Sequence, residues 1–144
     1  MRYAPIALLI AALGCASPSH PGDPGNVTQG VLVQPGREFD IGVGQEMTVA
    51  GTGITVRFNG VSDDSRCAVD VQCVWAGNAV VRLTLSASGS AGTDAALNTT
   101  LEAKSTSFAG YSVRLTGLKP APRSGTAIAA SSYVATLEVR PISG

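Results

Sequence analysis

Apolar and polar side chains take turns along much of this chain. Ile54, Val56 and Phe58 are separated by Thr55, Arg57 and Asn59, and Val81, Leu83 and Leu85 by Arg82, Thr84 and Ser86. Successive side chains of a strand point to opposite faces, so a period of two predicts strands with one dry face and one wet face. Residues 54–61 and 79–87 are the clearest of these. Phe39, Ile41 and Val43 follow the same rule, as do Met47 and Val49 and the stretches 97–102, 111–118 and 133–140. Between them stand turn signals: Gly51-Thr52-Gly53, the Ser- and Gly-rich stretch 88–94, and the Pro-containing stretch 119–125. No segment carries a convincing helical period. Polar residues on the outward faces argue against a parallel sheet buried on both sides. The expected fold is all-β, an antiparallel β-sandwich or small barrel of about six to eight strands.

The first 36 residues do not share this pattern. Arg2 precedes a short apolar run that ends in Gly14-Cys15, and polar, Pro-rich sequence follows. The arrangement resembles a bacterial lipoprotein signal, which implies cleavage before Cys15 and a diacylglycerol on its sulfur. The run is too short to cross a bilayer and is read as a processing signal. Prolines 18, 21, 24 and 35 alternate with glycines 22, 25, 30 and 36, a composition suited to a flexible tether. The expected organisation is a signal peptide over 1–14, the lipidated Cys15 and tether over 15–36, and a sandwich domain over 37–144. Val31-Leu32-Val33 has the composition of a short extra strand inside that tether. Ala16 is not the Asp that resembles an inner-membrane retention signal, so the outer membrane is favoured over the inner; secretion without a lipid is the alternative to anchoring.

Charge and cysteine content narrow the picture. Only 14% of residues are charged and the formal net charge is +0; losing Arg2 with the signal leaves nine basic against ten acidic side chains. The charges are scattered singly, without the basic stripe that a nucleic-acid partner requires. There are three cysteines. Assigning Cys15 to the lipid leaves Cys67 and Cys73, an even pair for a disulfide in an oxidising compartment. Closing so small a ring restricts the unfolded chain and contributes about 2–3 kcal/mol.

Residues 62–79 carry a second resemblance. Asp64-Ser65-Arg66-Cys67, then Cys73-Val74-Trp75-Ala76-Gly77, resemble a signature found in a group of small bacterial secreted proteins and lipoproteins. In that group a Pro follows the first Cys, where this chain has Ala68. Leu115, Pro120, Pro122 and residues 133–137 also look like the group, so the resemblance covers most of the expected domain. It supports the fold and the exported setting and implies no reaction. Physically, the segment has two readings. It is a structural corner, with the disulfide setting the only tryptophan against the core or across one end of the sandwich, Arg66 braced by Asp63 or Asp64, and Gly77 turning the chain into the next strand. Alternatively it is an exposed recognition loop with Trp75 as an aromatic anchor and Arg66 as its polar partner, both common hot-spot residue types.

Catalytic chemistry finds little support. The one histidine, His20, lies in the tether, so the domain has no imidazole for a Ser-His-Asp or Cys-His arrangement. Asp64, Asp70, Glu46 and Glu102 would have to converge to act as paired carboxylates. The spacing of Cys67 and Cys73 differs from paired zinc ligands, and Met47 alone does not complete a soft-metal shell. Asp63, Asp64 and Asp70 lack the alternate spacing of a calcium loop. Asn26 and Asn98 match the glycosylation pattern and read as ordinary turn and strand sequence in a bacterial setting. The expectation is therefore a cell-envelope protein, lipid-anchored at Cys15 and without a cofactor. It is not expected to be an enzyme. It is expected to bind an envelope protein, a glycan or a small ligand through Asp64, Arg66 and Trp75. A structural or stress-related envelope lipoprotein with no discrete ligand is the alternative, and an enzyme or metal-binding protein ranks below it.

Overall fold

The computed structural model describes residues 31–88 and 90–143. The signal, Cys15 and most of the tether are outside the described residues, and so are His20 and Asn26. Among the described residues there are nine strands: β1 (Val31–Val33), β2 (Glu38–Gly42), β3 (Glu46–Val49), β4 (Ile54–Ser62), β5 (Val80–Ala87), β6 (Thr93–Asn98), β7 (Ser105–Phe108), β8 (Tyr111–Lys119) and β9 (Val134–Pro141). A 3-10 turn, Ala130–Ser132, leads into β9. The strands form two sheets, ordered β1-β3-β4-β5-β6 and β2-β9-β8-β7. All neighbouring strands are antiparallel except β1 and β3. The fold is a β-sandwich.

The alternating positions fill the space between the sheets. Met47, Val49, Ile54, Val56, Phe58, Val81, Leu83, Leu85 and Leu97 come from one sheet, and Ile41, Val113, Leu115, Ala135, Leu137 and Val139 from the other. Each fully buried aliphatic or aromatic side chain contributes about 1.5–3 kcal/mol of transfer free energy, enough to fix which face of each strand turns inward.

The structure contains the short strand expected at Val31-Leu32-Val33 and departs from the expected elements in two places. The sheet begins at Val31, inside the stretch read as tether: β1 pairs with β3 from Val31 opposite Met47 to Val33 opposite Val49. Strand β6 covers Thr93–Asn98, not 97–102; Leu101, an apolar residue that suggested strand, lies in the following loop and is exposed. Strand β7 is additional, and brings the number to nine. It joins β8 through Ala109-Gly110, both at positive φ (48° and 80°), the backbone of a type I′ hairpin turn.

Chain direction fixes what meets at each end. Ser62, at the end of β4, lies opposite Val80, which lies opposite Asn98. Lys119, at the end of β8, lies opposite Val134, which lies opposite Gly42. The segment 63–79 therefore leaves the sandwich at the end where β8 stops and β9 starts. Strand β1 runs parallel to β3 and away from this end, so Val31, its first residue, is the one nearest this side.

Candidate functional site

The segment 63–79 is the extended tip of the β4–β5 hairpin. Beyond Ser62 the two arms stay paired: Ser65 N–H donates to the Asn78 carbonyl at 2.7 Å and Cys67 N–H to the Ala76 carbonyl at 2.9 Å. Asp63, at φ 53°, takes up the kink between the regular strand and this second ladder. Gly77 is required on the opposite arm. Its φ is 66°, and a Cβ there would collide with the Ser65 carbonyl, so both backbone conformation and space demand glycine. Asn78 ties the base to the β6–β7 loop, donating to Asn98 Oδ1 at 2.8 Å and accepting from the Thr100 N–H at 3.1 Å.

At the base of the tip, Arg66 is spent on structure. Its Nε and Nη2 donate to the two oxygens of Asp64 at 2.8 and 2.7 Å, while Nη1 reaches the Leu118 carbonyl at 2.8 Å and Nη2 the Pro120 carbonyl at 3.0 Å. Four of the five guanidinium donors are thus engaged. The Tyr133 hydroxyl donates to Asp64 Oδ2 at 2.8 Å. The Arg66 and Asp64 side chains are only 12% and 13% exposed. Asp64 therefore has its carboxyl held below the usual carboxylate range, chiefly by the hydrogen bond from Arg66. Burial pulls the other way, and the Tyr133 hydroxyl adds to the lowering. The same hydrogen bond raises the Arg66 pKa. Burial first, and then the Asp64 carboxylate, raise that of Tyr133. The clamp joins β4 of one sheet to β8 and β9 of the other.

Above the clamp the loop is closed by the Cys67–Cys73 disulfide. A disulfide belongs to an oxidising, non-cytoplasmic compartment. The ring is also bonded to the β8–β9 loop. Val69 N–H donates to the Pro122 carbonyl at 2.9 Å; Asp70 accepts from the Ser124 N–H at 2.8 Å and the Ser124 hydroxyl at 2.6 Å. These bonds lower the Asp70 pKa, the Ser124 hydroxyl foremost. The apolar side chains face outward: Val74 is 92% and Trp75 77% exposed, with Val69 and Val71 also exposed.

The three residues expected to form one contact surface are thus divided. Trp75 is on the surface and does not pack in the core. Arg66 and Asp64 meet each other but point inward, so Arg66 is not a free polar partner for Trp75. The carboxylates weighed for catalysis stand apart: Asp64 is on Arg66, Asp70 on Ser124, Glu46 opposite Arg57 on β3, and Glu102 in the β6–β7 loop. Sequence reasoning missed Tyr133 as the third member of the clamp. Sixty-nine residues separate it from Asp64, and it read as the start of a strand.

A second feature is a groove of about 560 Å³ on the outer face of the β2-β9-β8-β7 sheet, lined by Glu102, Lys104, Arg114, Glu138 and Arg140 among others. Glu138 is buried there, and its Oε1 lies 2.6 Å from Arg140 Nη2. The groove is shallow and polar, and the one carboxylate buried in it is bonded to a cation. Among the described residues no helix is long and apolar enough to cross a membrane. No family model, curated protein or solved structure matches this chain.

Proposed function

We propose that this chain is a lipid-anchored protein of the cell envelope, held by Cys15, that acts as a non-catalytic contact module through the tip of its β4–β5 hairpin. The observation that carries this reading is the pairing of an exposed Trp75 and Val74 with a rigid base. Exposed apolar residues clustered on one feature mark an interaction surface, and immobilising that feature beforehand lowers the entropy lost on contact. The disulfide, the Arg66 clamp and the bonds to Pro122 and Ser124 supply that rigidity. Trp75 and Val74 make the contact; Arg66 and Asp64 position them.

The test is Trp75→Ala in the full chain. Thermal unfolding stays as in the parent, and retention by envelope material is lost. Retention at the parental level would remove the tip from the function. The intact mass of protein recovered from its own membranes checks the anchor: acyl chains on an N-terminal Cys15 are expected, and an unmodified Cys15 would refute that part.

A further inference from the structure

The partner of the tip follows from its shape, its charge and the direction in which β1 runs. We infer that Trp75 and Val74 dock into the interfacial layer of the bilayer that holds the Cys15 anchor, setting the domain upright with this end toward the lipid. This rests on the contact reading above and names its partner.

Four observations converge. The tip projects its apolar side chains outward from the end of a hairpin, whereas pockets for small ligands are concave; a deformable interface receives such a projection without a matching cavity. Trp is at home at the headgroup level, with its ring body in apolar surroundings and its N–H near water. From Cys67 to Gly77 the only charged residue is Asp70, and its carboxylate is turned onto Ser124. Arg123, on the flanking loop, supplies a cation for anionic headgroups at the rim.

Chain geometry supplies the fourth observation. Val31 lies at the level of Met47 and Val56, and the strand rise puts Ser62 about 20 Å nearer the tip end. Val31 is the end of β1 that faces that side. The fifteen residues between Cys15 and Val31 reach at most about 50 Å, enough to let the anchor and the tip share one membrane surface. The C-terminal end of β9 lies opposite the start of β8, at the far end of the sandwich.

Trp75 is the only tryptophan, so fluorescence of the full chain reports the tip alone. Reconstituted into vesicles of phosphatidylethanolamine and phosphatidylglycerol, the protein is expected to show a Trp75 emission shifted to shorter wavelength. Lipids brominated near the headgroup end of the chain should quench it more strongly than lipids brominated deeper. Val74→Asp, at a site with almost no contacts to disturb, should abolish both signals, because losing a buried valine contact alone weakens partitioning by about tenfold or more. Emission that stays at the wavelength of a water-exposed indole, without bromine quenching, would overturn the inference. So would signals that survive Val74→Asp. A photo-crosslinking residue at position 74 of the full chain in its own envelope separates this failure from failure of the contact reading. Lipid adducts support membrane docking; protein or glycan adducts overturn it and keep the tip as a contact surface; no adducts of any kind overturn both.

Discussion

The base and the tip of one hairpin invert the usual distribution of side chains. At the base, a guanidinium, a carboxylate and a phenol are shielded from water; a few residues further on, a tryptophan and three valines stand in it. The base is polar but nearly every donor has an acceptor, so its burial costs little and its geometry is fixed. The tip is apolar and unsatisfied by anything in its own fold. Stability and function are thus separated along a few residues. Changes at the base should unfold or loosen the hairpin, and changes at the tip should leave the fold intact and alter only what it touches.

The largest effect is expected at Gly77. Gly77→Ala forces a Cβ into the Ser65 carbonyl at a left-handed φ, which should cost about 3 kcal/mol, read as a lowered denaturation midpoint with faster amide exchange at Ser65 and Cys67. Arg66→Ala comes next. It removes the guanidinium from the Leu118 and Pro120 carbonyls and leaves the Asp64 carboxylate with only the Tyr133 hydroxyl and a backbone N–H, a loss of about 2–3 kcal/mol in equilibrium unfolding. The contrast fails if this variant is as stable as the parent.

Acid should act on the base in a more graded way. The folded pKa of Asp64 lies below its unfolded value because Arg66 donates to the carboxylate. The stabilisation is therefore present in full above about pH 4 and disappears as pH falls through the folded value. Denaturant titrations across that range should show stability falling toward low pH, with a shallower slope in Asp64→Asn. Some slope will remain. Asp40, lowered by the Thr136 hydroxyl and by Lys119, and Asp70, lowered by Ser124, have shifts of the same sign. The smallest change belongs to the tip: Trp75→Ala should move unfolding by no more than about 0.5 kcal/mol while removing the contact. A large loss of stability in that variant would erase the distinction between base and tip.

What could be read from the chain beforehand follows the same division. Strands β4, β5, β8 and β9 were legible because their inward positions are large and their outward positions polar, so one period accounts for both faces. Strand β7 was not, since Ser105-Thr106-Ser107 has no apolar alternation and its turn is Ala-Gly in place of the usual Asn-Gly. Strand β6 was displaced because Asp94, Ala95 and Ala96 are poor strand formers, while Thr99, Thr100 and Leu101 look better and lie in the loop. At the site, Cys67, Cys73, Trp75, Arg66 and Asp64 were all conspicuous by residue type. Which of them faces water was not, because that depends on Leu118, Pro120 and Tyr133, brought in from far along the sequence by the packing of the second sheet.

Two of the four acceptors that hold Arg66 are main-chain carbonyls, at Leu118 and Pro120. A carbonyl is present whatever side chain is attached to it, so the clamp itself places no demand on side-chain identity at the end of β8 and the start of the loop that follows. Among proteins descended from a common ancestor with this one, the Arg66 clamp can persist while the side chains at those two positions change, provided Ser124 keeps its bonds to Asp70. A search for kin should weigh the acid, the arginine and the distant tyrosine above the letters at those two positions.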